Sequence, residues 1–280
     1  MDELQRYLKT ASPDNIIIGE PDCNLLIVGY EENRITNIKT ILLTVGCPDI
    51  TDTDTCINEL RLKYRNNNTF KNLFDHGKKL SEIAAISFVM VAYKSKNPDE
   101  ITEHYLNSMN FVSKQIYPEQ TEPQMHSSDG FVSYVYGLLG NSFTDAGTCK
   151  SKNKSLADAF HVWSREKLSA HIIKQDFDAI YCGEKYAMIE IKRSPTKTLE
   201  RWTPYPDDKR NYDIQFKISQ IMNAPFFTFH HNGVPCDDNT RIGCYKITSV
   251  NALSKSWISY NKEIITLENV MDKLAEATNE

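Results

Sequence analysis

Apolar and polar positions along the chain change period from block to block. Residues 24–30 (NLLIVGY) and 37–46 (NIKTILLTVG) are apolar runs divided by the polar stretch EENRIT, which predicts two strands joined as a hairpin. After the turn-rich CPDITDTDT, residues 56–65 predict a short helix that the asparagines at 66–68 break. Longer helical patterns follow over about 70–94 and 99–116, the second opened by Asn97-Pro98-Asp99, where a proline and an acid suit a helix start.

The polar stretch 117–130, with prolines at 118 and 123, predicts a linker or long surface loop. It sets a boundary between an N-terminal region, 1–122, and a second domain, 123–280. The N-terminal region reads as mainly helical with a short β-hairpin, serving recognition, dimerisation or regulation. Beyond the boundary, helices are predicted at 130–140 and 155–173, with Ser155 as N-cap of the second. Two strands, DFDAIYC (176–182) and YAMIEIKRS (186–194), are joined by the short GEK link. A helix at about 207–223 and the strand PFFTFHH (225–231) complete the order helix, strand, strand, helix, strand. No internal repeat or low-complexity tract is visible.

The strand 186–194 holds the candidate chemistry. Side chains alternate across a strand, so Tyr186, Met188, Glu190 and Lys192 share one face and Ala187, Ile189 and Ile191 the other. On the preceding strand Asp176 and Asp178 share a face, and pairing through GEK sets Asp178 beside Glu190. Two carboxylates and a lysine converging there form a hard-oxygen site for Mg²⁺ or Mn²⁺ with an ammonium nearby, a set suited to phosphoryl chemistry. A lone ExK is short and common, and on an exposed strand its contact contributes about 0–1 kcal/mol. The preceding helix adds a stripe of Ala159, Val162, Glu166, Ala170 and Ile173. Either the helix is rotated to put Glu166 at its edge, or a cation or donor meets it, which makes Glu166 an auxiliary metal ligand.

An acid on a helix, then Asp178, then IEIKR with Glu190 and Lys192, then a helix and an apolar strand resembles the core of the PD-(D/E)xK nuclease superfamily, which includes many restriction and repair nucleases. The likeness covers about 155–231 and rests more on element order than on the motif. It implies an α/β fold with a restriction-endonuclease-like core, a mixed central sheet flanked by helices. It also implies Asp178 and Glu190 as metal ligands, with the carbonyl of Ile191 adding another, Lys192 as the catalytic lysine and Glu166 in support. Phe177 stands where the family has proline, which leaves Asp176 and Asp178 both open as the ligand.

The implied activity is Mg²⁺- or Mn²⁺-dependent hydrolysis of phosphodiester bonds, with a DNA endonuclease of restriction, defence or repair type ahead of an RNA endonuclease. The implied partner is nucleic acid, with no membrane, and a homodimer is compatible with it. The competing reading is a binding or assembly protein on a nuclease-like core without activity. On the following helix Asn211, Gln215 and Ser219 form a polar stripe opposite Ile214, Ile218 and Ile221, a solvated face unless it touches a nucleic-acid backbone or the lysine. Arg193, Lys197, Arg201, Lys209 and Arg210 flank the site as candidate phosphate contacts, Gln215 joining them.

Composition narrows the classes. The 280 residues are 40% hydrophobic and 25% charged, ordinary for globular chains. A net charge of −5 and a pI near 5.9 argue against a protein that coats nucleic acid globally. Residues 151–235 nevertheless hold thirteen Lys and Arg against ten Asp and Glu, a balance of +3. Seven cysteines without a CxxC pair read as reduced thiols, and the N-terminal stretch lacks a signal-peptide pattern, which predicts a soluble cytoplasmic protein. Glu59 and Lys63 imitate the motif but are four apart, a helical pair, with Asp49, Asp52 and Asp54 as turn and cap residues. His230, His231, Cys236 and Cys244 match no usual zinc spacing.

Overall fold

In the computed structural model residues 2–33, 35–140, 158–195 and 197–279 are described. In chain order α1 is Glu3–Ala11, β1 Ile16–Ile17, β2 Cys23–Glu32, β3 Ile35–Cys47, α2 Thr53–Asn66, α3 Asn68–Ala84, β4 Ser87–Lys94, α4 Glu103–Asn107, β5 Asn110–Tyr117, β6 Gln124–Ser127 and α5 Ser128–Leu139. There follow α6 Ala159–Lys167, β7 Ile172–Asp176, β8 Ala179–Cys182, β9 Tyr186–Arg193, α7 Lys209–Ile221, β10 Phe226–His231, β11 Arg241–Val250, β12 Ile258–Thr266 and α8 Val270–Asn279. The fold is α/β, with mixed sheets flanked by helices.

The chain forms two compact units, Glu20–Asp176 and a discontinuous one made of Met1–Gly19 with Phe177–Glu280. The expected division at 122/123 falls between β5 and β6, which pair in one sheet. The N-terminal region is not mainly helical. The runs SFVMVAYK and NFVSKQIY, expected within helices, are β4 and β5. Their β-branched and aromatic residues suit a buried strand, and Ala85, in the left-handed region at φ 52°, ends α3 before them. The expected hairpin is β2–β3, while the expected loop at 117–130 contributes the edge strand β6 and the start of α5.

In the Glu20–Asp176 unit the strands run in the order β6-β5-β4-β3-β2-β7. Phe111, Phe131, Phe160 and Trp163 form the centre of one apolar cluster with α5 and α6, and α3 lies against β2 to β5. In the other unit the order is β1-β8-β9-β10-β11-β12. There α1 begins with a capping box, Asp2 accepting from the Leu4 amide and Gln5 answering to the Asp2 amide, and its i, i+4 pair Leu4 and Leu8 is fully buried. These leucines join Ala187 and Ile189 of β9 and Val270 and Leu274 of α8 in one cluster, while α7 packs against β9, β10 and β11.

The two sheets have the same topology. Each has a hairpin (β2–β3 or β8–β9), a helical crossover to a parallel strand (β4 or β10), two further antiparallel strands, and a short antiparallel strand beside the hairpin (β7 or β1). That last strand follows a nine-residue helix in both cases, α1 before β1 and α6 before β7. Asp2 and Asp158, Ile16 and Ile172, Ile17 and Ile173, and Asp22 and Asp178 are each separated by 156 positions. The chain is thus an internal repeat, contrary to the reading of the sequence. The first helix and strand of each half complete the sheet of the other half.

Candidate active site

The hairpin β8–β9 turns through residues 183–185, as expected, with Ala179 opposite Ile189 and Ile180 opposite Met188. Carried one step further, this register sets Asp178 opposite Glu190. The predicted alternation of β9 holds. Ala187 and Ile189 pack into the cluster with α1 and α8, while Glu190 meets α7 on the other face. Glu190 is only 2% exposed.

A carboxylate at that depth needs partners, and it has them. Its Oε1 lies 2.7 Å from Lys192 Nζ, and its Oε2 accepts from Gln215 Nε2 at 2.6 Å. Lys192 Nζ also lies 3.2 Å from Asp208 Oδ2 and 5.9 Å from the Tyr212 ring centre. Burial works against the ammonium, but Glu190 and Asp208 outweigh it and hold Lys192 well above the usual lysine range. Thr228, the β10 neighbour of Glu190 in register, donates to the Tyr212 hydroxyl at 3.1 Å.

Asp178 sits in the bend ahead of β8. Its Oδ2 accepts the Ile191 amide at 2.7 Å, and its carbonyl accepts from Gln5 Nε2 of α1 at 3.0 Å. The structure therefore brings Asp178, Glu190, Ile191, Lys192 and Gln215 together. Asp176 is the last residue of β7, opposite Leu26 in the other sheet, so the expectation that it shares a strand with Asp178 is corrected. The chain leaves one sheet and enters the other between them.

Glu166 is exposed on α6, in the Glu20–Asp176 unit, where Ala159, Phe160, Trp163 and Ser164 take the buried face. Of the two readings of its stripe, the helix rotated away from Glu166 is the one found. That helix is shorter than expected, Leu168 turning to extended backbone, and Asp158 caps it. The expected cap, Ser155, lies outside the described residues.

Arg193, Lys197, Arg201 and Arg210 are exposed, whereas Lys209 is half-buried with its Nζ 5.9 Å from the Trp257 ring centre. Gln215, expected among the phosphate contacts, and Ser219, expected beside it on the polar stripe, are both buried, so Gln215 is corrected from a phosphate contact to a partner of Glu190, and Ile221 is 48% exposed. The helix is turned so that its amide serves Glu190. The residues missed from sequence are Asp208 on the lysine, Gln5 on the Asp178 backbone, and a pair on β10. His231 Nδ1 accepts the Gly233 amide at 3.2 Å, so Nε2 carries the hydrogen that faces Asp2 Oδ1 at 2.8 Å. His230 stacks on Trp202 with ring centres 4.5 Å apart, and burial pushes it down to about 4. Only the helix-start pattern at Pro206–Asp208 signals any of these.

Comparison with protein-family models, with curated proteins and with solved structures gave no match. Among the described residues no three His, Cys, Asp or Glu side chains stand close enough to hold a metal ion between them. Asp178 and Glu190 are two carboxylates, a donor set that fits a Mg²⁺ ion completed by water and a substrate phosphate and does not fit a closed protein cage. Among the described residues no helix is long and apolar enough to cross a membrane.

Proposed function

We propose that the chain is a Mg²⁺- or Mn²⁺-dependent nuclease of the PD-(D/E)xK type that hydrolyses phosphodiester bonds, DNA ahead of RNA. The observation that carries this reading is the buried Glu190–Lys192 contact at the strand end where the register sets Asp178 opposite Glu190. Asp178 and Glu190 would hold the ion, the Ile191 carbonyl adding to them. The ion when bound supplies a Lewis acid and a water of lowered pKa.

The protein's own groups divide the remaining work. Lys192, held between Glu190 and Asp208, acts as a positive charge toward the phosphorus oxygens. Gln215 fixes the rotation of the Glu190 carboxylate through its amide. The exposed Arg193 at the end of β9, Lys197 and Arg201 in the β9–α7 connection and Arg210 in the first turn of α7 supply phosphate contacts that position a strand without reading its sequence.

Cleavage of labelled double-stranded DNA, single-stranded DNA and RNA with Mg²⁺, Mn²⁺ or EDTA tests the reading. Metal-dependent cleavage is expected in the wild type and absent in Lys192→Ala and Glu190→Ala. A second reading, a binding module on a retired core, is favoured by one feature: both Glu190 oxygens and one Asp178 oxygen are already engaged within the chain. Nucleic-acid binding without cleavage would move the assignment to that module, and cleavage that survives both substitutions would place the activity outside Glu190 and Lys192.

A further inference from the structure

Ligands of open α/β sheets sit in the crevice outside the carboxyl ends of the strands. Glu190 and Lys192 occupy that end of the parallel pair β9 and β10. The Glu20–Asp176 unit has the same parallel pair, β3 and β4, and a cavity of about 790 Å³ opens where both strands end. Asp22, the counterpart of Asp178, lines it, and so does Asp158, which caps α6 as Asp2 caps α1.

The register shows what this half lacks. Cys23 lies opposite Val45, so one step on Gly46 faces Asp22 in the place that Glu190 holds opposite Asp178. A Cβ on Gly46 would come within 2.6 Å of Asp22 Cβ, so a glutamate side chain has no room there without a backbone shift. Two residues on, Pro48 stands at the lysine position. Asp22 Oδ1 instead accepts the Tyr93 hydroxyl at 3.0 Å, and Lys63 of α2 donates to the Gly46 carbonyl. The second carboxylate and the strand lysine are both missing.

Binding chemistry remains. Four acids line the cavity: Asp49 lies 3.0 Å from Lys94, Asp158 faces His161 at 3.0 Å and accepts its amide, Asp22 accepts from Tyr93, and Glu100 is exposed to solvent at the rim. Lys96 Nζ lies 4.9 Å over the Tyr105 ring, so an ammonium and an aromatic face stand side by side on the wall. The volume falls in the range of small-ligand and cofactor sites. We infer that this cavity binds a nucleoside phosphate and does not hydrolyse it, with Lys96 on the phosphate, Lys94 shared between the phosphate and Asp49, and the Tyr105 side against the base. The ligand class rests on the nuclease reading of the other unit. The ligand is either a free nucleotide or one residue of a strand.

Photo-crosslinking of the full chain in EDTA tests this, with 8-azido-AMP as the free nucleotide and a short 5-iodouracil oligonucleotide as the strand. Label is expected on the peptides spanning 94–110, lowered about tenfold or more in Lys94→Ala/Lys96→Ala and in Ser108→Trp, which blocks the cavity from an exposed position. Labelling by azido-AMP assigns a free nucleotide, and labelling by the oligonucleotide alone assigns a residue of a strand. No label on 94–110 from either probe, or label unchanged in both variants, overturns the inference. Cleavage with Mg²⁺ is measured in parallel. Cleavage without label defeats the second site alone, and label without cleavage defeats the nuclease reading alone.

Discussion

Glu190 Oε1 and Lys192 Nζ lie 2.7 Å apart, the carboxylate side chain 3% exposed and the lysine 20%. Removing one partner of a buried pair leaves the other charge uncompensated, which costs more than the pair contributes. Lys192→Met is therefore expected to destabilise the fold by on the order of 3 kcal/mol, and Glu190→Gln/Lys192→Met to recover more than half of the loss. Urea midpoints at pH 7 check both; a cost in the single variant below about 1 kcal/mol would place the pair with solvated surface contacts.

Gln215 is the only side chain of α7 that donates to Glu190 among the described residues. Gln215→Ala leaves a buried carboxylate oxygen without its donor, and a loss of about 1–3 kcal/mol is expected. If the nuclease reading holds, the turnover rate falls while the affinity for nucleic acid stays, because Gln215 acts by positioning Glu190. Single-turnover kinetics and binding isotherms separate the two; an affinity loss with the rate unchanged would count against that role.

Leu8 is fully buried among residues of β1, β8 and β9. Leu8→Ala is expected to cost about 2–5 kcal/mol. The loss should be local. Hydrogen-exchange protection is predicted to drop in β8, β9 and β10 and to stay unchanged in β2 to β5. Uniform loss across both sheets would contradict the division of the chain.

His230 should set an acid limit on stability. Burial, helped by His231, Lys262 and Lys197, pushes it down to about 4, below its ordinary 6.5. Between those values the unfolded chain binds a proton that the folded chain refuses, so stability falls as pH drops through this window, at no more than about 1.4 kcal/mol per pH unit. His230→Phe, which keeps a ring on Trp202, should flatten that slope in thermal scans from pH 7 to 4. An unchanged slope would mean that other groups cause it.

The site was legible where local pattern alone decided the structure. Alternation in YAMIEIKRS and the short GEK link fixed the faces of β9 and the pairing with β8. Gln215 was visible as part of a stripe, but its direction depended on what Glu190 needed in the interior. The repeat was not legible, because four identities between residues 2–22 and 158–178 do not stand out from chance. Asp176 and Asp178 look like one strand in sequence, and only the sheets show that the chain changes partner between them. The strand β4 reads as helix because a fully buried run shows no alternation that would mark it as β, and β5 reads as helix because its buried Phe111, Val112 and Ser113 are consecutive and likewise do not alternate.

The exchange of first elements also bears on synthesis. Asp2 to Gly19 leaves the ribosome ahead of its partners, which begin at Phe177, more than 150 residues later. At roughly 5–20 residues per second, that segment waits for many seconds without its sheet. A chain stalled before β8 holds a complete set of strands for one sheet and an amphipathic helix still waiting for the other, with Leu4 and Leu8 open to whatever chaperone or neighbour reaches them first.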